Sequence, residues 1–216
     1  MQNFTLYNQH DAPIQSAKLL QNVNAELGFV PNIHAMVAES TIALEGFQSL
    51  SGYFSKSDFT ATESELIQIA VSVENGCGYC VAGHSAFAEM LEVSPAVVQA
   101  LRNNQSLDDP KLEALNQFTR VLVRTKGKLS PSEVKAFIDV GYSQQQVLEL
   151  VLGIALKTFT NIVSSMSQLP LDEAFSAHVW LSNSEDINRF LSKNSSNHHS
   201  SHKLDDPTTS NISATS

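Results

Sequence analysis

The sequence predicts an all-α protein, and three observations carry that prediction. Ser94-Pro95, Asp109-Pro110 and Ser130-Pro131 each set a capping side chain before a proline. That order opens helices, because proline lacks only an N–H that a first turn leaves unpaired. Apolar residues then recur at helical spacing, as in Leu112, Leu115, Phe118 and Leu122, and again in Val147, Leu150, Val151 and Ile154. No Asn-Gly or Asp-Gly pair separates two alternating apolar runs in the manner of a hairpin; Asn75-Gly76 lies between segments that both read as helix.

Taken in order, helices are expected at about 14–27, 32–38, 41–55, 62–74, 79–91 and 95–103. A block opened by Pro110 follows. Ser130 and Glu133 form a capping box for the next helix, and Gly141 is its natural stop. A longer helix begins near Val147 and runs past Phe159 towards Met166, and a last one is expected at 172–181. Residues 1–191 read as a single helical domain. Residues 192–216 hold eight Ser, three Thr and three Asn with almost nothing apolar, so they read as a disordered polar tail with three incidental histidines, His198, His199 and His202.

Charge and hydropathy narrow the function. Thirteen Lys and Arg stand against 22 Asp and Glu, a net charge of −9, which runs against nucleic-acid binding. No unbroken apolar run reaches the roughly 18 to 20 residues of a membrane span. The opening MQNFTLYNQH has neither a basic nor an apolar leader region, so a soluble cytoplasmic protein is expected. Two cysteines three residues apart do not staple distant parts of a fold.

Their surroundings point to chemistry instead. In Glu74-Asn75-Gly76-Cys77-Gly78-Tyr79-Cys80-Val81-Ala82-Gly83-His84, a helical spacing brings Cys77, Cys80 and His84 within an arc of about 60°. A thiolate is the reactive form of cysteine, and a helix N-terminus and a histidine both favour it. A second thiol converts a sulfenic acid to a disulfide before over-oxidation. Cys77, at the glycine-flanked start, is expected to be the more open of the two, and Cys80 the deeper. If the flanking helices form an antiparallel hairpin, Glu65 lies level with His84 and can orient it. The competing reading is that Thr62 and Glu65 form a capping box and Glu65 merely closes a helix end. Zinc is the alternative for the cysteines, but a structural site wants four ligands, and His34 or His178 would have to complete it. Two idle cysteines on a helical surface are the plainer alternative.

The run Glu65-x11-Cys77-x2-Cys80-x3-His84, with Tyr79 before the second cysteine, resembles the carboxymuconolactone decarboxylase-like superfamily, in particular its alkylhydroperoxidase D branch. The segment Leu27-Gly28-Phe29-Val30-Pro31-Asn32 and the later Asn161 resemble further family features. The resemblance implies an alkylhydroperoxidase D-like helical fold, assembly into homo-oligomers such as trimers or hexamers, and reduction of a hydroperoxide by a cysteine pair. It implies recharging by an external dithiol, lipoyl-linked in the best-known members; no resident cofactor is expected, and no metal, because a second ligand pair is missing. By position, Cys80 would attack the peroxide, Cys77 would resolve, and Glu65 with His84 would relay protons. A lactone decarboxylase-type enzyme and a redox-sensing interaction protein without fast turnover are the alternatives. Phe47, Phe54, Phe59 and Trp180 are more apolar surface than a small helical layer needs, which agrees with oligomerisation.

Overall fold

In the computed structural model, residues 4–182 are described, and among them there is no strand. The expected polar tail, the domain's expected end at residue 191 and the tail histidines lie outside them. The helices are α1 (Ile14–Leu27), α2 (Asn32–Val37), α3 (Thr41–Phe54), α4 (Ala61–Glu74), α5 (Gly78–Met90), α6 (Pro95–Arg102), α7 (Pro110–Thr125), α8 (Pro131–Asp139) and α9 (Gln144–Ser167). A 3-10 helix, Glu173–His178, stands where a full helix over 172–181 is expected. The Asp172 carboxylate explains the difference: it accepts from the Asn32 N–H and the Tyr79 hydroxyl rather than capping a helix. At the far end, Arg102 takes the carbonyls of His178 and Val179.

The helix starts follow their caps. Asp109 accepts from the N–H groups of Lys111 and Leu112, and Ser130 and Glu133 form the expected box. Ser94 precedes α6 but makes no side-chain cap. The box that opens α4 is Thr60 with Glu63, not Thr62 with Glu65. That shift of two residues releases Glu65 from the helix end.

α4 is the hub. Its run Glu63 to Ile69, continued through Ser72, is buried almost without a break, as a helix packed on every side must be. α5, α6, α7 and α9 surround it. α9, 24 residues long, is apolar and long enough to cross a membrane by length and composition, yet it packs along α3 and α4 and carries buried Lys157 and Asn161. Its approach to α3 is close enough that a Cβ on Gly153 would fall 2.5 Å from the Phe54 ring. Phe47, Phe54 and Phe59 belong to the core rather than to an exposed surface, and the half-buried Trp180 donates from Nε1 to the Arg102 carbonyl. The apolar side chains that do reach solvent include Leu148, Val151, Ile162 and Met166 on α9.

Candidate active site

α4 and α5 form the anticipated antiparallel pair, joined by a turn in which Gly76 takes φ 65°. α9 holds that turn in place. Asn161 accepts from the Asn75 amide at 2.8 Å and donates to the Ser72 hydroxyl at 3.3 Å, and the Cys77 N–H bonds the Ser72 carbonyl. Asn161 is therefore a brace for the segment that carries the cysteines.

Cys77 is the N-cap of α5, its sulfur accepting from the Cys80 N–H. Both thiols are free and buried, 2% and 3% exposed. The expected contrast between an open Cys77 and a deep Cys80 does not hold: Ser164 of α9 meets the Cys77 sulfur, and the chain after α9 passes over the neighbouring Gly78. A Cβ on Gly78 would meet the Trp180 carbonyl at 2.7 Å, and Phe175 packs on Gly83. Ser164 lies between the sulfurs, 2.9 Å from Cys77 Sγ and 3.7 Å from Cys80 Sγ, and the Cys80 thiol donates to Thr160 Oγ1 at 3.9 Å. The two thiols differ electrostatically. The hydrogen bond from Cys77 and the charge of Lys157 draw the Cys80 thiol well below its ordinary pKa, while the same bond and burial push Cys77 up.

Glu65 and His84 meet as the hairpin requires, with Glu65 Oε2 at 2.8 Å from His84 Nδ1. The other ring nitrogen, Nε2, is hydrogen-bonded to Lys157 Nζ. Lys157 is buried, and that burial lowers its pKa. The sequence reading missed Lys157, Ser164 and Thr160. A signal for the lysine existed: on α9 it shares a face with Leu150, Asn161 and Ser164, all buried, and a lysine at such a position is rarely idle.

Tyr79 is a structural brace. Its hydroxyl donates to Asp172 Oδ2 at 2.6 Å and accepts from the Ile33 N–H at 3.2 Å, tying α2 and the segment after α9 to α5. Phe175 stacks edge-on against Tyr79, Phe87 and Phe29. Arg102 holds the roof from below, bonding Ser85 Oγ and the carbonyls of His178 and Val179.

A cavity of about 320 Å³ opens onto this cluster. Cys80, His84, Lys157 and Glu65 line its polar side, with Phe47 and Phe87 among its apolar walls, and Cys77 is not part of the lining. His34 also borders it. Burial, then the charge of Lys157, lowers the His34 pKa to about 4, and its Nδ1 finds no hydrogen-bond partner. Among the described residues no three His, Cys, Asp or Glu are grouped to hold a metal ion; His178, one of the ligands considered for zinc, bonds Glu89 instead.

With this geometry in hand, comparison with known proteins is informative. The model of the Carboxymuconolactone decarboxylase family matches residues 43–121, the stretch from α3 through α7 that holds both cysteines, Glu65 and His84. Over that stretch, rather less than half of its length, the chain is similar to this family. Its fold is that of an alkylhydroperoxidase AhpD core: a peroxidase-related protein of that description from Ralstonia eutropha JMP134 superposes with a TM-score of 0.72 at 19% identity, over 81% of this chain and 96% of the other. The debrominase Bmp8, solved as a cysteine-to-alanine variant with 2,3,4-tribromopyrrole, superposes with a TM-score of 0.70 at 20% identity, covering 81% and 94%. In sequence, the uncharacterized protein YdfG of Bacillus subtilis (strain 168) is 27% identical over 118 residues, 52% of this chain and 80% of YdfG.

Proposed function

We propose that the protein is a thiol-dependent peroxidase in which Cys80 reduces a hydroperoxide and Cys77 resolves it. One observation carries the reading: the cavity reaches Cys80, the thiol whose pKa is drawn down, and stops short of Cys77. The Cys80 thiolate attacks the terminal oxygen of the hydroperoxide, the O–O bond breaks, and the departing alkoxide takes a proton from the relay that includes His84 and Glu65. Cys80 is left as a sulfenic acid. The Cys77 thiol then attacks that sulfur, water leaves, and a disulfide forms. An external dithiol, in the class of lipoyl groups, returns both thiols by exchange. The protein works as a homo-oligomer.

Single-turnover hydroperoxide consumption with sulfenic-acid trapping tests this assignment. Cys77→Ser should consume about one equivalent and stop at a trappable sulfenic acid on Cys80, whereas Cys80→Ser should consume almost none. An adduct on Cys77 would reverse the roles. No reaction faster than free cysteine would leave a redox sensor or a lactone decarboxylase, and the latter gives Cys77 no part.

Reductive dehalogenation is a second reading, favoured by the aromatic walls at Phe47 and Phe87 and by the tribromopyrrole seen in Bmp8. There two thiols become a disulfide while a carbon–bromine bond becomes carbon–hydrogen and bromide leaves. Bromide release from a bromopyrrole, in place of hydroperoxide consumption, would select it.

A further inference from the structure

We propose that Lys157 is the acid–base group that serves the reacting sulfur, and that Glu65 and His84 act through it as positioning residues. This rests on the peroxidase reading and changes who carries its proton. The argument starts from the two ring nitrogens of His84, both of which are engaged. Nδ1 faces the Glu65 carboxylate, so it carries the ring proton; Nε2 is then the acceptor, and Lys157 Nζ donates to it. An imidazole so arranged has no free lone pair to offer the Cys80 thiol. Lys157 has N–H bonds to spare, lines the same cavity as Cys80, and is sealed from bulk water.

The charges around the amine agree. Glu65 faces it from α4, Cys80 and His84 from α5, Cys77 from the cap of that helix, and His34 from α2. Burial, the largest influence, favours the amine, while the Cys80 thiolate and then Glu65 favour the ammonium. A buried lysine drawn both ways in this manner gives up and takes back a proton more readily than an exposed one. The neutral amine accepts the Cys80 Sγ–H proton, leaving an ammonium beside a thiolate. The thiolate attacks the hydroperoxide, the O–O bond breaks, and the ammonium returns its proton to the departing alkoxide. The products are a Cys80 sulfenic acid and an alcohol, and the amine is restored. Glu65, through the His84 ring, holds the amine in place over both events.

The test separates charge from proton transfer. In a Cys77→Ser background, the rate of Cys80 alkylation by iodoacetamide is measured against pH, alongside single-turnover consumption of an organic hydroperoxide. Lys157→Met should move the alkylation inflection up by at least about one pH unit and slow peroxide consumption by about 10²-fold or more. Lys157→Arg keeps a charge that never titrates; it should keep the low inflection yet lose the peroxide step to a similar degree. That split is the signature of a proton donor, and a merely structural lysine would not produce it. Lys157→Gln makes the same comparison if the methionine variant fails to fold. An unchanged alkylation profile in Lys157→Met, or full peroxide activity in Lys157→Arg, overturns the proposal. If the parent protein consumes no hydroperoxide, the peroxidase reading falls by itself, and the alkylation profiles still decide whether Lys157 holds the thiolate.

Discussion

At the scale of single residues, the site is a set of polar atoms that have few partners to spare. Tyr79 satisfies Asp172 and the Ile33 N–H with one hydroxyl, so Tyr79→Phe leaves a partly buried carboxylate and a backbone donor short of a bond. A loss of about 1–3 kcal/mol is expected, read as a lower melting temperature with little change in the pH profile of thiol alkylation. His34 supplies a pH prediction. Its pKa in the folded protein is about 4, lowered by burial and then by Lys157, against roughly 6.5 in the unfolded chain. The unfolded state therefore binds the extra proton first, and His34 withdraws stability as pH falls from about 6.5 towards 4. His34→Phe should flatten that part of the melting-temperature profile relative to the parent; parallel profiles would refute it.

The same scale shows what the sequence could and could not disclose. Cys77, Cys80 and His84 were legible because one helical turn fixes their mutual positions, and Glu65 because a short hairpin fixes its level against His84. The capping alternative for Glu65 was settled only by the true start of α4 at Thr60 and Glu63. Lys157, Thr160 and Ser164 come from a helix some eighty residues onward in the chain, and no local pattern says which face of that helix meets the cysteines. The burial of Cys77 was hidden for a like reason, since Ser164 of α9 packs on its sulfur and the Trp180 carbonyl lies over the adjacent Gly78.

At the scale of elements, α4 and α5 are held by core packing, but the segment from Leu169 to Trp180 rests on fewer ties. The Arg102 guanidinium makes two of them, to the His178 and Val179 carbonyls, and its bond to Ser85 anchors it to α5. Arg102→Ala should loosen the roof while leaving Lys157 and His84 in place. If the opening free energy falls by about 1 kcal/mol, labelling of the two thiols by a maleimide should quicken roughly fivefold at neutral pH, with the inflection unmoved. Unchanged labelling would mean that the thiols are reached by another route. Most element boundaries were legible from proline and capping residues; the 3-10 helix was not, because it is set by what Asp172 and Arg102 bond rather than by its own periodicity.

At the scale of the molecule, α9 divides two kinds of environment. Leu148, Val151, Ile162 and Met166 lie within an arc of about 60° on its outer face, and all four are exposed. A stripe of this kind fits burial against another copy, in keeping with the proposed homo-oligomer. Ile162→Glu places a charge in the stripe without touching the cavity, and light scattering at micromolar concentration should show a smaller particle than the parent. A parent protein of monomer mass would refute the assembly outright.

Turned the other way, the same helix presents Lys157, Asn161 and Ser164 to the cysteines. In the proposed homo-oligomer one rigid rod would meet a neighbour on one side and thiol chemistry on the other, which would make the number of molecules per millilitre a chemical variable. Dilution that parts the proposed copies would then remove their support from the outer face of α9. The iodoacetamide reactivity of Cys80 should then drift with protein concentration, over the same range in which light scattering records dissociation.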